Sequence, residues 1–396
     1  MEQLNKKIRL CYAAVQFLYW AQNAVAFAFA AFYMQGLGFS ATVMGIILAL
    51  TNLFGFLLPN FLGTLVDRGH IKCSAAAELV LAAEALAMIL LLVSGQTGMV
   101  TKIGFTAFLS LVLTANPLYT KICMDLQHAI PDLSYGNPRA LGSVSFAVCA
   151  WGLGLLLARW GLTLIPASAL ALTVLQAAAL LGIAKLQNRF PAGKLPAMET
   201  GLPMARFLLE NRRFVLLLLG VALIFAANNT INNFLYLIVD DLGGTERTLG
   251  ALNAMIGLIE VPVMLLYARK KHLRPQRLLI LSLVCFPLKL LAIWAAQTTG
   301  ELFAAFLLQT LSFALYIPAM VDYVNQVIPY EDSAKGQSLS GSMISLGTLA
   351  ATLCSGIWLD ALPVKAVLLR LAVLAVLGLP FCLAGIQKRQ AADKNQ

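Results

Sequence analysis

Long apolar stretches recur along this chain of 396 residues, and they constrain its fold more than any other feature. Apolar stretches of about 18 residues or more are typical of helices that cross a lipid bilayer. Twelve such stretches can be placed, and we predict an all-α membrane protein with twelve transmembrane helices. They lie near 10–35, 41–66, 73–94, 100–127, 139–160, 162–185, 213–239, 247–268, 277–297, 301–328, 335–359 and 363–386.

The composition agrees with a membrane protein. Hydrophobic residues make up 60% of the chain and charged residues 12%, whereas a soluble domain has about 25% charged residues. The first stretch has no small-residue cleavage site after a short apolar core, so we interpret it as a helix and not as a signal peptide. The 7 cysteines are scattered singly without a CxxC spacing, which indicates packing residues and no metal site.

A polar segment separates the first six apolar stretches from the last six. Residues 186–212 are polar and contain three prolines. We therefore expect two six-helix halves, residues 1–190 and 213–396, joined by a cytoplasmic linker of residues 191–212. The ends of the fourth and tenth stretches also have similar spacing: Asp125 precedes Pro131, and Asp322 precedes Pro329. This similarity is consistent with a duplicated six-helix unit, as many transporters have.

Basic residues are distributed unevenly between the loops, and this distribution predicts the orientation in the membrane. If the N-terminus is cytoplasmic, most loop Lys and Arg residues are cytoplasmic. The opposite side then holds Lys102, Arg159, Arg247 and Lys365. We expect a multi-pass protein of the plasma (inner) membrane with both termini in the cytoplasm. The net charge of +10 therefore reflects orientation, and no nucleic-acid partner is expected.

Two carboxylates lie deep inside apolar stretches. A charge in the middle of a bilayer costs several kcal/mol unless it faces the bundle interior or a wet cavity. Glu260 lies about midway along the eighth stretch, and Asp322 lies deep in the tenth. Because desolvation disfavours the charged form of a carboxyl group, we predict Glu260 and Asp322 as proton-coupling residues.

Four asparagines interrupt the seventh stretch, which reads FAANNTINNF at residues 225–234. On a helix, Asn228 and Asn232 share one face, and Asn229 and Asn233 share the adjacent face. Each amide both donates and accepts hydrogen bonds, so the stripe suits a neutral, hydroxyl-rich ligand. The alternative is hydrogen bonding to a neighbouring helix.

The first stretch carries a second polar face. Gln16, Tyr19, Trp20 and Asn23 fall at helical spacing. Aromatic rings beside amides suit the binding of a sugar or a base, whereas interfacial aromatic residues are the alternative. We predict Tyr19 and Asn23, together with Asn116 of the fourth stretch, as substrate-binding residues.

The loop between the second and third stretches resembles the signature loop of the major facilitator superfamily. It reads GTLVDRGHIK at residues 63–72, and it matches the pattern G-x-x-x-D-R-x-G-R-[RK] at Gly63, Asp67, Arg68 and Lys72. His70 and Ile71 depart from that pattern. The resemblance implies the major facilitator fold, with Asp67 and Arg68 in a gating role through charge contacts that close the cytoplasmic face. A solvated turn with orienting charges is the alternative.

A second motif is similar to the lactose-permease-like branch, which includes oligosaccharide and nucleoside symporters. The residues are YGNPRALGSVSF at 135–146, which resemble the YGxxRxxGSxGF start of helix 5. The resemblance implies a cavity position for Arg139, where a guanidinium fork of donors would bind the substrate. An orienting charge at a cytoplasmic helix end is the alternative. Thr120 or Lys121 stands where lactose permease has a sugar-binding carboxylate, so lactose is not inferred.

The superfamily resemblance also ranks the buried polar residues. Its seventh helix lines the central cavity, which favours Asn228, Asn229 and Asn232 as substrate-binding residues. Its third, ninth and twelfth helices are peripheral. For Glu84, Lys289 and Arg370 the resemblance therefore favours structural pairing or snorkelling.

These features predict a secondary active transporter that works by alternating access. We expect proton-coupled symport of a neutral polar solute, a sugar or a nucleoside. The alternative is a proton-coupled exporter of drugs or metabolites, although the GPxxGG run of drug antiporters is missing from the fifth stretch. No G-x-x-x-x-G-K-[ST] loop occurs, and we expect no enzyme activity, cofactor or metal. The expected partners are a small-molecule substrate, protons and the bilayer, and we expect a monomer.

Overall fold

A computed structural model of the protein describes residues 2–93, 98–127, 136–187, 203–269 and 274–387. Every regular element within these ranges is helical. The helices are α1 (Glu2–Asn23), α2 (Ala30–Gly36), α3 (Ala41–Asp67), α4 (Cys73–Val93), α5 (Met99–Gln127), α6 (Gly136–Trp160), α7 (Leu164–Gln187), α8 (Met204–Glu210), α9 (Arg212–Asn233), α10 (Leu235–Asp241), α11 (Glu246–Arg269), α12 (Pro275–Ala295), α13 (Thr299–Phe306), α14 (Phe313–Val327), α15 (Tyr330–Ala361) and α16 (Val364–Gly385).

Eleven helical segments in the described ranges are long and apolar enough to cross a membrane. They coincide with the predicted stretches from 41–66 through 363–386. Large apolar side chains such as Leu86, Val148 and Leu377 are exposed on their surfaces, as expected where lipid rather than water surrounds the protein. The all-α membrane fold is therefore confirmed, whereas the count of twelve is not reproduced in full.

The first predicted stretch, at 10–35, is not among these eleven segments. α1 carries polar residues in its first turns, and it ends at Asn23, where a π-helical segment, Ala24–Ala28, begins. α2 then continues the apolar stretch for seven residues. The predicted first span is thus divided among three helical pieces. π-Helical segments occur frequently at functional sites.

The chain divides into two compact units. Unit 1 comprises Met1–Pro196 and Asn233–Leu258, and unit 2 comprises Ala197–Asn232 and Ile259–Gln396. In unit 1, α4 packs against α5 and α7, while α1 packs against α6 and α7. In unit 2, α12 packs against α14 and α16. The predicted halves stay a prediction, and residues 191–202 of the predicted linker lie outside the described ranges.

Small residues bring α9 and α16 together within unit 2. A Cβ atom on Gly220 would lie 2.5 Å from the carbonyl oxygen of Gly378, and one on Gly378 would lie 2.7 Å from that of Gly220. Membrane helices commonly meet through small residues, because lipid gives no hydrophobic drive for their association and backbones must approach closely. This contact fixes the position of α9, the helix that carries the four asparagines.

The signature loop begins with a glycine turn at the end of α3. Gly69 has a φ of +73°, in the left-handed region that glycine favours after a helix. The backbone N–H of His70 donates to the carbonyl oxygen of Leu65 at 3.0 Å. The turn therefore ends α3 beside Asp67 and Arg68 and directs the chain into α4.

Candidate functional site

The four asparagines lie in the last turns of α9, as the sequence predicts. Asn228 is buried, Asn229 and Asn233 are half-buried, and Asn232 is exposed. Asn228 Nδ2 donates to Asn229 Oδ1 at 3.2 Å, and Asn229 Nδ2 donates to Thr348 Oγ1 of α15 at 3.0 Å. Part of the stripe therefore bonds a neighbouring helix, which was the alternative to ligand binding.

A buried lysine supplies the other partner of Asn228. Lys289 on α12 is 1% exposed. Its Nζ atom donates to Asn228 Oδ1 and, at 2.7 Å, to Gln309 Oε1. The same atom lies 5.3 Å and 5.7 Å from the ring centroids of Phe286 and Phe306, within cation–π range. These contacts stabilise a positive charge midway along a membrane span.

Gln309 connects this lysine to a predicted proton-coupling residue. Gln309 is buried in the 3₁₀ segment Leu307–Gln309 between α13 and α14. Its oxygen accepts from Lys289, and its Nε2 donates to Glu260 Oε1 at 2.9 Å. A continuous series of hydrogen bonds results, which we call the polar chain of unit 2. Its members are Glu260, Gln309, Lys289, Asn228, Asn229 and Thr348.

The second predicted proton-coupling residue has a different neighbour. Asp322 on α14 is half-buried, and its Oδ2 accepts a hydrogen bond from the hydroxyl of Tyr267 on α11 at 2.7 Å. Glu260 thus adjoins an amide that also bonds a cation, whereas Asp322 adjoins a neutral phenol. The two carboxylates belong to the same unit but have chemically distinct surroundings.

The predicted substrate-binding residues of the first span lie in unit 1. Tyr19 and Asn23 are both buried, and Asn23 Nδ2 donates to the carbonyl oxygen of Tyr19 at 3.0 Å. The Tyr19 ring meets those of Trp20 and Tyr119 edge-on, with centroids 5.4 Å and 5.7 Å away. In this arrangement the aromatic residues pack against one another, and the roles of Tyr19 and Asn23 in binding stay predictions.

Asn116 offers an atom with unused hydrogen-bonding capacity. It is half-buried on α5. Its Oδ1 atom is buried and has no hydrogen-bond partner among the described residues. A buried polar atom of this kind calls for an explanation, and a bound solute would supply one. Its binding role stays a prediction.

The helix 5 motif explains how α6 approaches α1. A Cβ atom on Gly142 would lie 2.2 Å from Cδ1 of Trp20, so only glycine lets Trp20 pack at this position. Ser145 Oγ donates to the carbonyl oxygen of Phe17 at 2.6 Å. Arg139 lies in the first turn of α6, but its side chain falls outside the described residues, and its binding role stays a prediction.

The gating residues lie at the end of α3. Asp67 Oδ1 is 3.1 Å from Nζ of Lys121 on α5, in an ion pair within unit 1. Arg68 is exposed. Asp67 therefore makes a charge contact with another helix of unit 1. The gating role of Asp67 and Arg68 stays a prediction.

Three members of the polar chain, Lys289, Gln309 and Thr348, were not predicted as site residues. For Lys289 the sequence favours structural pairing or snorkelling, and the structure shows pairing with two amides. Its position midway along a span was the signal that pointed to a functional role. Gln309 gave no such signal, because one glutamine in an apolar stretch is compatible with packing. No cluster of three or more His, Cys, Asp or Glu side chains suited to a metal ion occurs in the described ranges.

Comparison with known proteins identifies a family. The model of the MFS_1 like family matches residues 9–367. A maltose permease of Geobacillus stearothermophilus is 26% identical over 271 residues, which cover 66% of this chain and 66% of the permease. The chain thus spans just under two thirds of that relative's length.

Solved structures share the fold at low sequence identity. The nucleoside transporter NupG superposes with a TM-score of 0.76 at 15% identity, covering 96% of this chain and 100% of that one. The POT family transporter PepTSo gives a TM-score of 0.73 at 11% identity, covering 97% of this chain and 98% of that one. The resemblance of the sequence to the major facilitator superfamily is therefore confirmed.

Proposed function

Because the chain belongs to the MFS_1 like family, and is thus a multi-pass membrane transporter of the major facilitator type, we propose that it carries a neutral polar solute in symport with protons. The polar chain of unit 2 is the observation on which this proposal rests. It connects a carboxyl group, Glu260, with the amides of α9 through Gln309 and Lys289. Proton binding at one end can therefore alter hydrogen bonding at the other.

The chemistry of the amides and the known relatives support the proposed solute class. Asparagine side chains both donate and accept hydrogen bonds, as the hydroxyl groups of a sugar or nucleoside do. The relative by sequence is a maltose permease, and a transporter of the same fold carries nucleosides. We propose Asn228, Asn229 and Asn232 as the solute-binding face, with Arg139, Tyr19, Asn23 and Asn116 as further contacts.

Coupling results from the need of Lys289 for hydrogen-bond acceptors. When Glu260 is ionised, its negative charge offsets that of Lys289 across the single amide of Gln309. When Glu260 takes up a proton, that negative charge is lost, and Lys289 depends more on its remaining acceptors. Asn228 is one of them, and a solute hydroxyl group that accepts a hydrogen bond from Lys289 would replace the acceptor strength lost at Glu260, so that proton binding and solute binding favour each other. Rocking of the transporter between its two access states then moves the solute and the proton together.

We propose that the direction of transport is import. The basic residues of the loops favour a plasma-membrane protein with both termini in the cytoplasm. An inward proton gradient across that membrane would drive symport of the solute into the cell.

The solute class can be tested with the purified protein. A ligand that binds the folded state at 100 times its Kd stabilises that state by about 2.7 kcal/mol. We expect a disaccharide or a nucleoside to raise the unfolding temperature of the wild type, and less so that of Asn232→Ala. Asn60→Ala is the control, because Asn60 is exposed on α3 and bonds its own helix backbone.

The same unfolding measurements, repeated with other solutes, distinguish the proposed symporter from the exporter. Stabilisation by amphipathic drug-like cations, with no effect of sugars or nucleosides, would contradict the proposed solute class and favour the exporter. If the solute raises the unfolding temperature of Asn232→Ala as much as that of wild type, Asn232 does not contact the solute.

A further inference from the structure

Unit 1 contains a second buried polar cluster, and the proposed coupling through unit 2 makes no use of it. Its central residue is Glu84 on α4, which is 0% exposed. Around it lie side chains from α1, α5 and α7 that are all buried. We call this set the Glu84 cluster; its members are Glu84, Gln22, Thr173, Gln176 and Tyr119.

The hydrogen bonds of the cluster form a series that ends at one oxygen atom of Glu84, Oε2. The hydroxyl of Tyr119 donates to Gln176 Oε1 at 3.2 Å, and Gln176 Nε2 donates to Gln22 Oε1. Gln22 Nε2 in turn donates to Glu84 Oε2 at 2.7 Å and to Thr173 Oγ1 at 2.9 Å. Thr173 Oγ1 lies 3.3 Å from the same Oε2 atom.

The other carboxyl oxygen has no such partner. Glu84 Oε1 is buried and forms no hydrogen bond with any described residue. The Gln22 amide thus donates to one oxygen. The Thr173 hydroxyl, which also reaches the carbonyl oxygen of Ala169 at 3.0 Å, lies near the same oxygen, and the second oxygen is left without a donor. An ionised carboxylate would carry charge on both atoms, and leaving one of them buried and unsatisfied is costly.

No described cation forms an ion pair with Glu84. The titratable groups that face it from the packed helices are the phenols of Tyr119 on α5 and, beyond it, Tyr19 on α1. α7 contributes the neutral Thr173 and Gln176. A buried carboxylate without a cation costs several kcal/mol. A neutral carboxyl group avoids the cost of the buried charge and keeps Oε2 as the acceptor that Gln22 reaches.

We propose that the Glu84 cluster is a proton-binding site of unit 1, separate from Glu260 and Asp322, and that it controls the shape of the first span. Gln22, the closest donor to Glu84, is followed by Asn23 and then by the π-helical segment Ala24–Ala28. Loss of the proton creates a negative charge that needs further donors. The π-helical segment is the irregular part of the first span that can rearrange to supply them.

This arrangement makes Glu84 a positioning residue. Movement of Gln22 also moves the turn that carries Tyr19 and Asn23, which are joined by a hydrogen bond from the Asn23 side chain to the Tyr19 backbone. Both residues are predicted to contact the solute. Protonation of Glu84 therefore sets the geometry of these contacts from outside the binding face.

Infrared difference spectroscopy tests the proton directly. The protein is reconstituted in lipid nanodiscs, and the carbonyl stretch of protonated carboxyl groups is recorded for wild type, Glu84→Gln and Glu78→Gln. Glu78 is the matched control, because it lies on the same helix and is only half-buried. We expect Glu84→Gln to lose one component of this absorption, and Glu78→Gln to retain it. An unchanged absorption in Glu84→Gln overturns the proposal.

A second variant retains the carboxyl group. Thr173→Val removes a hydroxyl that lies close to Oε2, so the frequency of the same component should shift. An unshifted band in this variant contradicts the assignment, even if Glu84→Gln fails to insert. Recording the wild-type spectrum in choline chloride and then in NaCl shows whether the site binds a proton or sodium. If sodium abolishes the band, sodium occupies the site and the proposal is overturned.

The pH dependence of unfolding gives an independent readout. The folded state holds the proton and the unfolded state releases it, so the unfolding temperature of the wild type should fall as the pH rises. Glu84→Gln carries no proton to lose, and its unfolding temperature should fall less. Parallel curves for the two proteins overturn the proposal. None of these measurements requires a transported solute, so their failure would leave the coupling proposed for Glu260 intact.

Discussion

Lys289 illustrates how a single residue determines the chemistry of a membrane-embedded site. Its ammonium group is surrounded by two amide oxygens and two aromatic rings. Gln309 bonds both Glu260 and Lys289, so the two side chains of opposite charge are joined through one amide. An arrangement of this kind is easily altered when Glu260 binds a proton.

Replacing Lys289 should separate its structural from its functional contribution. Lys289→Met removes the donors to Asn228 and Gln309, and each buried acceptor left unsatisfied costs about 1–3 kcal/mol. Lys289→Gln keeps an amide donor and should unfold closer to wild type. We expect both variants to lose proton-driven uptake, because neither carries the charge that Glu260 balances. Thermal unfolding and uptake into proteoliposomes measure the two effects.

Lys185→Gln is the control, since Lys185 lies in the last turn of α7, outside the polar chain. It should behave as wild type in both measurements. Wild-type uptake by Lys289→Gln would show that the amide suffices and that the charge of Lys289 has no part in coupling.

At the scale of residues, the sequence identified polar side chains within apolar helices, where polarity contrasts with the surroundings. Asn228 and Glu260 were recognisable because amides and carboxylates are costly in an apolar helix. Their connection was not recognisable, because it passes through Gln309 in a short 3₁₀ segment far away in the sequence. The burial of Lys289 was also not predictable, because it depends on how α12 packs against other helices and not on the sequence of α12 alone.

At the scale of helices, the sequence predicted eleven membrane-spanning segments that the structure contains, because length and apolarity suffice to define them. It did not predict the division of the first span. Residues 24–28 read AVAFA and are as apolar as their neighbours, so no local pattern marks the π-helical segment. Its position beside Gln22 suggests a tertiary cause, since the buried amide is held by Glu84 and Gln176.

The ion pair between α3 and α5 leads to a prediction about rates. Asp67 and Lys121 are 3.1 Å apart, and the Asp67 side chain is 68% exposed. An exposed pair contributes about 1 kcal/mol or less to stability. Asp67→Asn should therefore change the unfolding temperature little. Because the proposed role of Asp67 is gating and not binding, the variant should slow uptake with little change in solute affinity.

Lys121→Gln should reproduce the effect of Asp67→Asn if the pair itself is responsible. Uptake rates and equilibrium binding of the solute, measured on the same preparations, distinguish gating from binding. A large loss of solute affinity in Asp67→Asn would contradict the gating role.

For the whole molecule, the fold and the family support a transporter, and we propose proton binding at two carboxyl groups, the half-buried Glu260 and the buried Glu84. The polar chain of unit 2 links Glu260 to the proposed solute-binding amides, while the Glu84 cluster of unit 1 adjoins the break in the first span. The sequence could predict membrane topology and superfamily from patterns of residues. It could not predict either network, because each joins side chains from three or more helices.

Proton-driven uptake measures the central claim most directly. The protein is reconstituted with the sugar or nucleoside that most raises its unfolding temperature, and an inward proton gradient is imposed. We predict that wild type accumulates the solute and acidifies the vesicle lumen. Glu260→Gln should still exchange the solute at equilibrium but neither accumulate it nor move protons, while Asp322→Asn shows whether the second carboxyl group shares this role. Wild-type accumulation by both Glu260→Gln and Asp322→Asn would contradict proton coupling through these helices.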